Sequence, residues 1–279
     1  MTAPILPGPS LRAQAALEAL LDAALKAGEI ALRDFHPGEK TSATVALKRG
    51  NSPVTGADLA VNAFLLEHLG AAFPHAGWLS EETADDPARL DRAELLVVDP
   101  IDGTRAYMSG DPRWAVSIAL VSEGRPIAGV VHAPALRQTY AAAHGCGATR
   151  NGFRLGGTEA APQGRPVAGG PRTMIAALSA QSGVEWEVVA RIPSLALRLA
   201  QVGSGELMLA FASANSHDWD IAAADIVLRE AGAALIGEGG RGLDYNRRET
   251  CHGALAGLGA ALPSAYREAA FAVLRQARE

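Results

Sequence analysis

The chain has 279 residues, 48% hydrophobic and 20% charged, with a net charge of −5. That length allows one large domain or two ordinary ones with a substantial core, and the composition is that of a globular protein. The mild acidity excludes both the basic footprint of a nucleic-acid binder and the polybasic tail of a membrane-surface protein.

The opening MTAPILPGPSLRAQ has no cationic stretch followed by an apolar core, so no signal peptide is expected. Ser10 reads as the N-cap of a long helix. Leu17, Leu20, Leu21, Ala24, Leu25, Gly28, Ala31, Leu32 and Phe35 fall on its apolar face, and His36-Pro37-Gly38 stops it. ATVALKRGNSPVT reads as a strand and a polar loop carrying Lys48 and Arg49, which either approaches the acidic residues further along the chain or, the commoner case, holds solvated charges. Thr55 and Asp58 have capping-box spacing before a second helix with Val61, Phe64, Leu65 and Leu69. Strand-like runs follow at 95–98, 115–121, 127–131 and 139–143, with SEGRP as a hairpin turn.

The Gly/Pro-rich stretch at 156–171 is the expected boundary between an N-terminal α+β half, 1–155, and a C-terminal α/β half, 156–279. The second half alternates: a strand over 173–178, a helix over 184–190, a helix over 195–202, a strand over 207–211 and a helix over 218–231. Strands near Ala234 and Ala254 and a helix from about Pro263 complete it. The apolar run GALAGLGAAL at 253–262 is too short to cross a bilayer. Cys146 and Cys251 have neither zinc nor disulfide-framework spacing, which fits a cytoplasmic setting.

The stretch ELLVVDPIDGTRAY at 94–107 carries the chemistry. An apolar strand ends in Asp99 and Asp102, two acids that repel each other unless a cation lies between them. With Pro100 fixing the turn, both carboxylates and the Ile101 carbonyl can converge on one point. That is the donor set of a hard divalent cation such as magnesium. Gly103 and Thr104 add backbone N–H groups at a helix start, a seat for phosphate. Metal on one side of a phosphate and amides on the other describe a phosphatase.

Two other readings fail. An EF-hand loop counted from Asp99 needs Glu at its twelfth position, where Gly110 stands. An aspartyl-phosphate mechanism needs one residue between the acids, not two, so a metal-activated water replaces a covalent nucleophile. Asp218 reads as a helix cap, Asp225 as a solvated helix residue and His217 as a loop residue. None of the seven histidines has ligand spacing, and the four tryptophans read as packing residues.

LSEET at 79–83, DPIDGTRAY at 99–107, DWDIAAADIVLREAGA at 218–233 and SPVTGADLAV at 52–61 resemble the motifs of the inositol monophosphatase superfamily, in the family's order. The resemblance implies a layered αβαβα sandwich, magnesium dependence, lithium sensitivity and, in many members, a homodimer. It implies that Glu81, Asp99 and the Ile101 carbonyl hold one metal, that Asp99, Asp102 and Asp220 hold a second, and that a weaker third lies near Glu81. It also implies that the Thr104 hydroxyl, supported by Asp58, orients the attacking water while the Gly103 and Thr104 amides hold the phosphate.

Two branches compete for the substrate. LSEE, Arg105 after the Asp-Gly-Thr, and GVVHAPALRQTYAAAHG at 129–145 are similar to the 3′(2′),5′-bisphosphate nucleotidases, the favoured reading. GDPRWAVSIAL at 110–120 suits inositol phosphatases equally. PSLALRLAQVGSGEL at 193–207 lacks the nucleotidase lysine pattern, which leaves Arg198 as the candidate for a second phosphate. A third reading, of another class, is a regulatory binding protein on the same fold; against it, every implied ligand position is kept and no basic patch exists.

Overall fold

The computed structural model describes residues 9–48, 52–156 and 164–277. Helix α1 (Pro9–Leu32) opens the chain, so Ser10 lies inside it and is not its cap. Leu20, Ala24 and Ala31 are fully buried, as the helical period requires, but Leu25 and Leu32 are exposed. Phe35 is buried beyond the helix end. A small antiparallel pair follows, β1 (Val45–Leu47) and β2 (Pro53–Thr55). Arg49, in the connection between them, lies outside the described residues. Helix α2 (Gly56–Ala72) starts on the expected capping box, Thr55 accepting from the Asp58 N–H and Asp58 from the Thr55 N–H.

The large sheet comes from one continuous stretch. Its strands lie in chain order: β3 (Gly77–Ser80), β4 (Glu94–Asp102), β5 (Ala115–Ser122), β6 (Arg125–Ala133), β7 (Gln138–Ala143), β8 (Gly147–Arg150) and β9 (Phe153–Arg154). Only β3 and β4 run parallel. The short helix α3 (Thr104–Met108) leaves the end of β4. Alternation assigns the two faces: Leu96, Val98, Val116, Ile118 and Leu120 join the core beneath α1 and α2. Leu95, Val97, Ala119, Val121 and Val131 join a second core on the opposite side.

After β10 (Val167–Gly169) comes helix α4 (Arg172–Ser182), then β11 (Glu187–Val188). The sequence predicts the reverse, a strand over 173–178 and a helix over 184–190. Met174, Ile175 and Leu178 are buried at helical spacing, and Gly183, with φ of 66°, ends α4. So short an apolar run fits both periods, and tertiary packing chose between them. The chain continues through α5 (Leu195–Gly203), β12 (Leu209–Ala212), β13 (Ser216–His217), α6 (Asp218–Glu230), β14 (Ala234–Gly237), β15 (Cys251–His252), β16 (Leu255–Leu258) and α7 (Ser264–Gln276). A five-stranded mixed sheet has the order β11-β10-β12-β16-β14, and β13 pairs with β15 as a separate ribbon.

The layers are therefore α1 with α2, the seven-stranded sheet, α5 with α6, the five-stranded sheet, and α4 with α7. This is the αβαβα sandwich implied by the motifs. The middle core is shared: α5 and α6 bury Leu197, Leu199, Ile221, Ile226 and Val227 against the large sheet on one side and Ala210, Leu235 and Leu255 on the other. Close approach sets the height of α6, since a Cβ on Gly129 of β6 would lie 2.5 Å from Ile226 Cγ2 and 2.9 Å from Ala223 Cα. Among the described residues no helix is long and apolar enough to cross a membrane.

Candidate active site

Residues three apart on a regular strand face opposite ways, so Asp99 and Asp102 should diverge. They do not, because β4 is irregular between them. Asp99 pairs with Ser117 and Asp102 with Ala115, so three steps on β4 match two on β5. The extra residue, in the Pro100-Ile101 segment, restores the parity and turns both carboxylates to the α5/α6 side. The N-terminus of α6 then brings Asp220 to the same place. Carboxylate oxygens of Asp99, Asp102 and Asp220 all lie within 4.8 Å of one another.

Burial and mutual repulsion act together here. Burial, then the negative charges of Glu81, Asp102, Asp220 and Asp58, push the Asp99 carboxyl well above the usual range. Asp220 is pushed well up by burial and by Asp102, against the His217 N–H that donates to its Oδ2 at 2.6 Å. Asp102 is raised to about 6, chiefly by burial; the Ser194 hydroxyl and the Ala196 N–H, both 2.6 Å from its Oδ2, oppose that rise. Two buried carboxylates and a half-buried third, which would ionise only at a cost and all offer oxygen, are able to hold a hard divalent cation.

Glu81 follows β3, its N–H donating to the Val98 carbonyl at 3.2 Å. Its charge acts on Asp99, Asp102, Asp220 and Asp58, yet it stands outside the tight triad. Lys48 Nζ lies 2.7 Å from Glu81 Oε1 and 2.9 Å from Glu82 Oε1. Lys48 is thus no solvated loop charge. Burial alone would lower its pKa, but the hydrogen bonds to both glutamates outweigh that and hold it up.

Gly103, with φ of 94°, caps α3. A Cβ there would stand 3.3 Å from Ser194 N, so glycine permits both the left-handed turn and the close approach of the 193–196 segment. The Ile101 carbonyl and Asp58 Oδ1 lie 3.2 Å and 3.3 Å from the Thr104 hydroxyl, which shares one hydrogen between them. Asp58 Oδ2 accepts from the N–H and hydroxyl of Thr55, so the capping box of α2 also fixes the partner of Thr104. The structure thus brings Glu81, Asp99, Ile101, Asp102, Asp220, Asp58, Gly103 and Thr104 around one place.

A profile of the inositol monophosphatase family matches residues 13–277. The chain belongs to this family. It is 31% identical over 255 residues to a 3′(2′),5′-bisphosphate nucleotidase CysQ of Aggregatibacter actinomycetemcomitans, covering 84% of this chain and 88% of that protein. It is 35% identical over 231 residues to an inositol-1-monophosphatase of Mesorhizobium japonicum, covering 78% and 84%. The solved structure of extragenic suppressor protein suhB from Bartonella henselae is similar with a TM-score of 0.78 at 28% identity, covering 94% of this chain and 99% of that one. As a member of the inositol monophosphatase family, the protein is a phosphatase, a hydrolase of phosphoric monoesters.

Other parts of this family member refine expectation or depart from it. Arg198, the candidate for a second phosphate, is half-buried. Its Nη1 donates to the Ile192 carbonyl at 3.1 Å, and burial lowers its pKa to about 10 although nearby Asp102 favours the charge. Asp225 is buried, not solvated: Tyr245 donates to it at 3.0 Å and Arg229 stands 3.4 Å away. Asp218 is the first residue of α6, and the cap is His217, whose ring stacks on Trp219 with centroids 4.5 Å apart. Sequence reasoning missed Ser194, which holds Asp102. Its signal was a serine after Pro193 at the start of a helical run, the usual pattern of a cap.

Proposed function

We propose that the protein is a magnesium-dependent 3′(2′),5′-bisphosphate nucleotidase, removing one phosphate from a nucleotide that carries two, as from adenosine 3′,5′-bisphosphate to AMP. Glu81, Asp99 and the Ile101 carbonyl would hold one ion and Asp99, Asp102 and Asp220 a second, with a third near Glu81. When bound, such ions lower the pKa of a water molecule and offset charge developing on the phosphate oxygens. The chain's own part is orientation. The Thr104 hydroxyl, donating to Asp58 or Ile101, leaves a lone pair to accept a hydrogen from the attacking water. The N-terminal amides at Gly103 and Thr104 have no acceptor within so short a helix and would bind phosphate oxygens. Water adds to phosphorus as the ester oxygen leaves, with no bond between phosphate and the chain.

The observation that supports the substrate reading is Arg198, whose charge acts on Asp102 of the acidic site and on Arg191. The Ser194 N–H donates to the Arg113 carbonyl at 3.3 Å, which joins the 111–113 and 191–198 segments against the phosphate seat. A second phosphate needs cationic groups of this kind; inositol 1-phosphate does not.

The test is phosphate release with magnesium from adenosine 3′,5′-bisphosphate and from inositol 1-phosphate. The expected result is at least a tenfold higher kcat/KM for the nucleotide, about 1.4 kcal/mol of transition-state preference. The reverse preference selects the inositol-1-monophosphatase reading. Release from neither favours a regulatory binding protein.

A further inference from the structure

The first turn of α6 holds a second carboxylate that this chemistry does not use. Asp218 is 1% exposed. His252 Nε2 lies 2.7 Å from its Oδ1, and the Asn246 N–H donates to its Oδ2 at 3.2 Å. Residues two apart on a helix are separated by about 200° around its axis. Asp218 is therefore turned away from the side on which Asp220 meets Asp99 and Asp102. Further contacts tie the same turn to the 246–252 segment. The Asp218 N–H donates to the Thr250 carbonyl at 2.9 Å, His217 Nδ1 lies 3.1 Å from Thr250 Oγ1, and β13 pairs Ser216 with His252 and His217 with Cys251.

That segment is itself anchored. Arg89, 2% exposed, donates from Nη1 to Asn246 Oδ1 at 2.8 Å and from Nη2 to the Arg247 carbonyl at 2.9 Å. It belongs to the connection from β3 to β4 that begins with Glu81. The brace thus links the two sides of the acidic site without touching it.

We propose that the Asp218–His252 pair is a positioning device for Asp220, setting the first turn of α6 and with it the Asp220 carboxylate relative to Asp99 and Asp102. The inference rests on the metal-site reading above. One oxygen of Asp220 is bound to the His217 N–H, so the carboxylate follows the backbone that His252 and Thr250 hold. Partners one step removed from metal ligands commonly change affinity by about 10–100-fold when lost.

The test titrates Mn2+ alone into metal-free protein by calorimetry, beside thermal melts. His252→Phe keeps a ring and loses the donor, and should bind Mn2+ about tenfold or more weakly. His252→Gln can still donate to Asp218 and should stay within about threefold of the parent. Val273→Ala, in the core of the distant α7 layer, should lower Tm and leave Mn2+ affinity unchanged. A His252→Phe protein with reduced Tm and parental affinity overturns the proposal; should that variant not fold, Asp218→Asn carries the same two outcomes. A parent protein that binds no Mn2+ removes the metal-site reading itself, which is a different result from equal binding by both.

Discussion

At Asp99, burial and four neighbouring carboxylates all disfavour the charge that the proposed metal site needs. A site built this way trades stability for function. Asp99→Asn should raise the Tm of chelator-treated protein by a few degrees, roughly 1 kcal/mol, while abolishing turnover; a lowered Tm would show that the acids are not in conflict. Asp220→Asn should likewise lose activity, and full retained turnover would remove Asp220 from the site. A separate titration lies two strands away, on the face of the large sheet that meets α1. His132 is buried on β6, its Nδ1 2.9 Å from Thr139 Oγ1, and burial lowers its pKa from 6.5 to about 4. Protonation therefore favours the unfolded chain. The stability of the neutral ring is complete above pH 6.5 and is lost as pH falls towards 4, by an amount on the order of 3 kcal/mol. Urea midpoints of His132→Gln should fall less than those of the parent over that window.

Single contacts decide where whole elements sit. Gly129→Ala would place a methyl against Ile226 and the Ala223 backbone, lifting α6 from the sheet at a cost of about 1–3 kcal/mol. Because α6 carries Asp220, kcat should fall well beyond what the remaining folded fraction explains; a loss proportional to stability would count against the link. Ser194 serves two elements, capping α5 through the Leu197 N–H and holding Asp102. Ser194→Ala should cost about 1–2 kcal/mol for the cap alone and also weaken activity, measured by melts and phosphate release on the same preparations.

The five layers share a middle core to which both halves contribute. Neither sheet could cover its inner face without α5 and α6, so residues 1–155 and 156–279 should unfold together. Far-UV and near-UV signals should give coincident transitions, and Val227→Ala, fully buried in that core, should shift both equally by about 1–2 kcal/mol. Two separated transitions would instead show halves that fold alone. The proposed magnesium binding belongs to the same scale. Saturating the site at about a hundred times Kd should stabilise the whole molecule by about 2.7 kcal/mol, and a chelator should reverse it.

The sequence by itself determined the family and, through the resemblance of its motifs, the layered fold, and it singled out Asp99, Asp102 and Asp220, because motif order and the capping box at Thr55 and Asp58 are local or near-local properties. It misread the elements at 172–190, where short apolar runs satisfy either period. It also misjudged Asp225, treated as solvated because charged residues usually are, and left Lys48 and Arg198 open between a solvated role and one at the site. Only the tertiary structure showed what encloses them. It also decided that Asp99 and Asp102 face the same way, since the register irregularity between them exists only against β5, and that Ser194 and His252 brace the site. Hydrophobic period is written along the chain, whereas the partners of a buried charge are supplied by segments far away in sequence.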